Sequence, residues 1–145
     1  MLEISHLDVF YGDIQALWDV SIKVDNGELV ALVGSNGAGK TTLMQTIAGL
    51  LKPGAGSILF NGVRLDRLPT HKIVESGVCL VPEGRRLFPQ MTILENLEVG
   101  ASVTGARKMK RKGLDLVYRT FPLLETRSHQ KAGTLSGGEQ QMLAI

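Results

Sequence analysis

Residues Gly34 to Thr41 read GSNGAGKT, the stretch that most narrows what this chain can fold into. The spacing G-x-x-x-x-G-K-[ST] belongs between a strand and a helix, where a run of backbone N–H groups turns toward one point and makes a nest for an anion. Both flanks are present as patterns. LVALVG (Leu29 to Gly34) is almost continuously apolar, as expected of a strand buried on both faces. A helix is expected from about Lys40 to Leu51, stopped by KPGAG. Gly34, Gly37 and Gly39 allow the backbone to bend round a phosphate, with Ser35, Asn36 and Ala38 completing the loop. The helix that follows adds its positive N-terminal end. Lys40 supplies a mobile charge for the β- and γ-phosphates of a nucleotide, Thr41 a hydroxyl placed to ligate Mg2+, and Thr42 a second hydroxyl near the α-phosphate.

The elements around this loop are ordered. LEISHLDVFYG and ALWDVSIKVDNGE alternate with period 2 and end in turn signals, the pattern of antiparallel strands with one buried face. SILFNG is a short strand and turn, HKIVESG a brief helix, and GVCLVPE a second continuously apolar strand in which Cys79 is expected to be a small buried hydrophobe. From Thr92 the pattern turns helical, with Thr92 and Glu95 spaced as a capping box, and ARKMKRKGLDLVYRTFPLLETR reads as one or two helices interrupted at Gly113 and Pro122. Strands, then strand–helix units, then helices indicate an α/β core, residues 1–86, with a helical subdomain, residues 87–145.

Composition removes several classes. Hydrophobic residues at 43% and charged residues at 21% are wrong for a disordered chain. A formal charge of +2 is too small to argue for a nucleic-acid partner. No apolar run approaches the ~18 residues of a membrane span, and the acidic N-terminus has no basic n-region of a signal peptide. One cysteine excludes an internal disulfide. The expectation is a soluble, cytoplasmic, globular chain.

The phosphate loop alone leaves kinases, GTPases and many ATPases open. Leu135 to Gln141, LSGGEQQ, adds a second anion site in pattern: Ser136 and Glu139 form the S-x-x-E of a capping box, and Gly137 and Gly138 keep the approach free of side chains. Together the two motifs resemble the ATP-binding-cassette (ABC) ATPases, P-loop NTPases with a RecA-like core, an antiparallel β-subdomain and a helical subdomain. The resemblance implies ATP and Mg2+ as ligands. It also implies a head-to-tail dimer, homo- or heteromeric, in which the signature (Leu135, Ser136, Gly137, Gly138, Glu139 and Gln140) faces the γ-phosphate held by the partner's phosphate loop. Tyr11 matches the aromatic residue that stacks on adenine; a strand-end aromatic packed on the core is the competing reading. Glu83 stands where most of the family has a Gln that touches Mg2+ and the attacking water. A carboxylate there could ligate Mg2+ but adds negative charge near the γ-phosphate. Glu139 likewise replaces the usual signature Gln, and its capping role is favoured.

YGDIQAL, VPEGRRLFPQMTILENL and GTLSGGEQQMLAI together resemble the ATPase subunits of branched-chain amino-acid importers, with urea or amide importers as the alternative. Implied partners are a second ATPase subunit, transmembrane permease subunits and, indirectly, a solute-binding protein, on the inner face of the cell membrane; no nucleic acid is implied. The surface from about Leu87 to Leu97, with Arg85 and Arg86, is expected to receive a segment of the membrane partner. RKMKRK (Arg107 to Lys112) reads as a solvated helix face or as a contact with anionic headgroups or a membrane subunit. The family's strand ending in Asp-Glu, and its switch histidine, are absent from these residues. His6, His71 and His129 match no such position and read as surface or packing residues. The sequence therefore implies a marginally stable part of a cassette, holding nucleotide without turning it over alone.

Overall fold

A computed structural model describes residues 1–102 and 109–145, which divide into two compact units, Met1–Leu80 and Val81–Ile145. Arg107 and Lys108 of the basic run lie outside the described residues.

In the first unit β1 (Leu2–Tyr11) and β2 (Ile14–Val24) form a hairpin through Gly12 and Asp13. β3 (Ala55–Phe60) pairs with the other edge of β1, and β4 (Val63–Arg64) with β3, giving an antiparallel sheet of order β2-β1-β3-β4. Simple alternation fails once along β1. Ile4, Leu7 and Val9 all face the core, a spacing that period 2 cannot give. A bulge between Ile4 and Leu7 resets the phase: His6 takes φ 52° and turns its ring outward to Asp19, Nδ1 to Oδ1 2.6 Å. Gly56 faces this bulge with φ 87°, and a Cβ there would lie 2.3 Å from the His6 carbonyl oxygen.

α1 (Lys40–Ile47) and α2 (Thr70–Glu75) cover one face of the sheet's core, which consists of Ile4, Leu7, Val9, Leu17, Leu43, Ile58, Leu65 and Ile73. α1 stops a turn before the expected Leu51 because Gly49 adopts φ 74°, with the Gly49 N–H donating to Thr46 O and the Leu50 N–H to Gln45 O. α2 holds His71 and most of the brief helix expected of HKIVESG.

Asp66 locks the β3–β4 end. Its carboxylate, with a side chain 8% exposed, accepts from Arg64 Nε (2.9 Å) and Nη2 (2.7 Å) and from the Ile58 N–H (2.9 Å). Burial opposes its ionisation, but these bonds outweigh burial and hold its pKa below the usual value. Asp66→Ala is expected to lower unfolding stability by about 1–3 kcal/mol, since it strands a buried N–H, as read by urea titration. A lowered folded-state pKa gives stability that is present above the unfolded value of about 4 and lost as pH falls through the folded value. Wild type should therefore lose stability below about pH 4 more steeply than Asp66→Ala.

Two expected strands are not formed. Neither Leu29–Gly34 nor the run from Val78 to Val81 is strand among the described residues, and Leu29 and Val33 are 97% and 86% exposed. A strand buried on both faces needs a ladder on each side, and no described strand lies beside either run. Cys79, expected to be buried, is exposed for the same reason.

The second unit is helical: α3 (Ile93–Gly100), α4 (Lys110–Thr120), α5 (Pro122–Thr126) and α6 (Gly137–Ala144). The break falls at Phe121–Pro122, where proline takes the first helical position, whereas Gly113 sits inside α4. The core is Ile93, Leu124, Ala132, Leu135 and Leu143. Thr92 and Glu95 complete both bonds of the expected capping box. Of the basic run, Lys110 pairs with Glu98 at 2.7 Å, and Arg111 and Lys112 are exposed.

Candidate functional site

The phosphate loop has the local geometry that its residues dictate. Gly37 and Gly39 both take left-handed backbone, φ 85° and 83°. Ala38 N–H closes a turn onto Ser35 O at 3.2 Å. Gly39 also has no room for a side chain, because a Cβ would lie 2.5 Å from Leu17 Cδ2 of β2. As N-cap of α1 it brings no capping side chain. Lys40 folds back over the loop, Nζ donating to Gly34 O (2.9 Å) and Ser35 O (2.8 Å), which holds its charge beside those amides. A glycine-lined loop with an ammonium beside it and a helix start behind is the kind of arrangement that can accept a phosphate chain.

Thr41 is exposed on the first turn of α1, while Thr42 is 8% exposed. The Thr42 Oγ1 lies 3.3 Å from Tyr11 Oη, which also donates to Gln45 Oε1 at 3.5 Å. The Tyr11 ring, 47% exposed, is therefore tethered by its hydroxyl to the phosphate-loop helix and is not packed into the core.

The second unit carries Glu83 to Arg86 together with the signature. Glu83 is exposed, in a turn completed by Gly84 at φ 74°. Among the described residues no group of three or more His, Cys, Asp or Glu could hold a metal ion.

The approach to the signature is pinned by backbone bonds. Ala132 N–H donates to Met91 O and Gly133 N–H to Pro89 O, both at 2.9 Å, and a Cβ on Gly133 would meet that Pro89 oxygen at 2.9 Å. Leu135, 6% exposed, anchors the turn in the core. Ser136 then caps α6. Its N–H donates to Glu139 Oε2 (2.8 Å), and the Glu139 N–H donates to Ser136 Oγ (3.4 Å), the box read from S-x-x-E. These bonds, the backbone one foremost, hold the Glu139 carboxyl below its ordinary pKa, with Arg127 adding to the effect. Gly138 faces open space.

Two side chains at this helix start carry no local sequence signal. Arg127 Nη1 lies 3.1 Å from Glu139 Oε1. Arg85 donates to Gln140 Oε1 at 3.2 Å, and its guanidinium lies over Gly137, where a Cβ would be 3.2 Å from Nη2. Gln140 Nε2 in turn donates to Leu135 O at 3.2 Å. These partners are 12 and 55 residues apart in sequence, so no short motif could have paired them.

Comparison with known proteins identifies the family. Residues 17–145 match the ABC transporter family. Over its whole length the chain is 46% identical to the high-affinity branched-chain amino acid transport ATP-binding protein BraG of Pseudomonas aeruginosa, covering 62% of it. It is 35% identical to the probable branched-chain amino acid transport ATP-binding protein LivF of Archaeoglobus fulgidus, covering 61% of it. Relatives named for other cargo match as well, among them the Fe(3+) ions import protein FbpC of Brucella abortus, 38% identical over 140 residues and covered to 37%. Of solved structures, an ATP-binding subunit of an ABC transporter superposes with TM-score 0.83 at 34% identity, over 99% of this chain and 59% of that one. A dimeric cassette bound to ADP and Pi superposes with TM-score 0.81 at 26% identity, over 99% and 67%. The chain thus spans about three fifths of the curated branched-chain relatives it matches. With a glycine cradle around Lys40, a capped LSGGE turn and a family match across both, this chain belongs to the ATP-binding cassettes of ABC transporters.

Proposed function

We propose that the protein is the ATP-binding subunit of an importer that couples MgATP binding and hydrolysis to uptake of branched-chain amino acids. The observation that carries this reading is the 46% identity to BraG across all 145 residues, phosphate loop and signature included. In this reading Gly34 to Lys40 hold the phosphates, Thr41 offers its hydroxyl to Mg2+ with Glu83 as a second oxygen donor, and Tyr11 stacks on the base. Mg2+, when bound, neutralises charge on the β- and γ-oxygens. Ser136, Gly137 and Gly138 present the start of α6 to the γ-phosphate bound by a second subunit. The permease and a solute-binding protein complete the importer, and the cassette sits on the cytoplasmic side of the membrane. No described helix is long and apolar enough to cross it.

The test uses the native gene product that carries this sequence, reconstituted with its permease in vesicles and supplied with ATP. Radiolabelled leucine is expected to accumulate. Accumulation of urea or an amide with no leucine uptake would favour the alternative cargo. Nucleotide binding with neither uptake nor hydrolysis would reduce the protein to a binding module. Arg86→Glu isolates the membrane contact, because Arg85 is already engaged by Gln140. Assembly with the permease should be lost while nucleotide binding is kept, and unchanged assembly would sink the contact.

A further inference from the structure

We propose that Arg127 is a positioning residue for the signature turn: it holds the Glu139 carboxylate folded onto the cap, so that the turn can meet a phosphate. The proposal rests on the reading above, in which this turn faces a second subunit's γ-phosphate.

Glu139 occupies the third position of α6, one turn from the end offered to the phosphate. A carboxylate there has two courses. It can fold back onto the N-cap, or it can extend from the helix start into the space where a phosphate would approach. Unlike a neutral amide, the extended carboxylate repels that phosphate. The structure occupies both oxygens. Oε2 takes the Ser136 N–H at 2.8 Å, and Oε1 takes Arg127 Nη1 at 3.1 Å. The capping box alone secures one oxygen; Arg127 secures the other and supplies the compensating charge.

Arg127 is fixed for this task from behind. It closes α5, its N–H donating to Leu123 O at 3.1 Å and its carbonyl accepting from the Gln130 N–H at 2.8 Å. Leu124, three residues earlier, is fully buried beside Leu135 and Leu143 in the same core. The guanidinium therefore springs from an anchored helix end, and the Glu139 side chain that it meets is only 21% exposed. As a mere surface pair the contact would contribute little, because solvent screens it and both chains must be ordered. Its effect is on the charge presented to an incoming phosphate. Two like charges a few ångströms apart at an interface repel strongly enough to weaken association by about tenfold or more.

The experiment measures MgATP-driven association of the native gene product, with itself and with the other ATP-binding subunit of its importer, by sedimentation. It also measures nucleotide affinity of the separated subunit and its melting temperature, for wild type, Arg127→Ala, Arg127→Lys, Glu139→Gln and the double variant R127A/E139Q. Arg127→Ala is expected to weaken association by about tenfold, with nucleotide affinity of the separated subunit unchanged, and Arg127→Lys to recover most of the loss. Added to E139Q, R127A is expected to change association less than about twofold, since no carboxylate is left to restrain. An Arg127→Ala variant that associates like wild type would overturn the proposal. So would an equal loss in both backgrounds with a matching fall in melting temperature, which marks a packing contact only. If wild type itself does not associate on MgATP, the reading of the signature fails first, and that is visible before any variant is compared.

Discussion

Lys40→Ala is expected to weaken ATP binding by about tenfold to a hundredfold, the loss of one charge-assisted hydrogen bond to phosphate, while the fold survives. The second half of that expectation comes from what Lys40 touches. Its ammonium bonds two backbone carbonyls, Gly34 O and Ser35 O, and it forms none of the ion pairs among the described residues. Alanine in the first turn of α1 favours helix, so the start of the helix is kept. Titration with a fluorescent ATP analogue reads the affinity, and a melting curve reads the fold. Affinity within twofold of wild type would remove Lys40 from the phosphate site. A collapsed melting temperature would instead show that the two carbonyl bonds hold the loop together. The effect should also shrink with salt, since a point charge acting on a polyanion is screened.

What the sequence made legible has a common physical character. The phosphate loop and the capping boxes at Thr92 and Ser136 are set by residues within a few positions of one another. Left-handed backbone selects glycine and an orphan N–H selects Ser, Thr or Glu, so the letters carry the geometry. The failures are non-local. Leu29–Gly34 and the run from Val78 have strand composition, but strand formation depends on partners that no local pattern reports. The bulge at His6 was hidden because its phase is set by Gly56 on β3 and Asp19 on β2. Arg127 and Arg85 were invisible as neighbours of the signature for the same reason. The sequence suggested a membrane-facing role for Arg85, and the structure adds the contact with Gln140. Composition could not have found either contact, because each depends on how the 89–94 and 128–133 segments are laced together.

A paired glycine experiment separates backbone strain from close packing at the phosphate loop, and its expected effect on stability is the largest here. Gly37 and Gly39 share nearly the same φ, 85° and 83°, but not the same surroundings. A Cβ at Gly37 meets nothing within 4 Å, whereas at Gly39 it meets Leu17 Cδ2 at 2.5 Å and Ala16 O at 3.2 Å. Gly37→Ala should therefore carry the left-handed strain alone, about 1–2 kcal/mol. Gly39→Ala should add overpacking of about 1–3 kcal/mol against the buried Leu17, for a total of about 2–5 kcal/mol. Against a typical stability of about 5–15 kcal/mol, that is a large fraction. Urea unfolding measures both variants. The Gly39 variant should also lose more nucleotide affinity than its stability loss alone accounts for, because the clash pushes the first turn of α1 away from β2 and takes the phosphate-facing amides with it. Equal losses for the two variants would mean that Leu17 gives way freely. In that case the seat of the loop against β2 contributes nothing to its shape, and the conformational freedom of glycine alone explains why both positions lack a side chain.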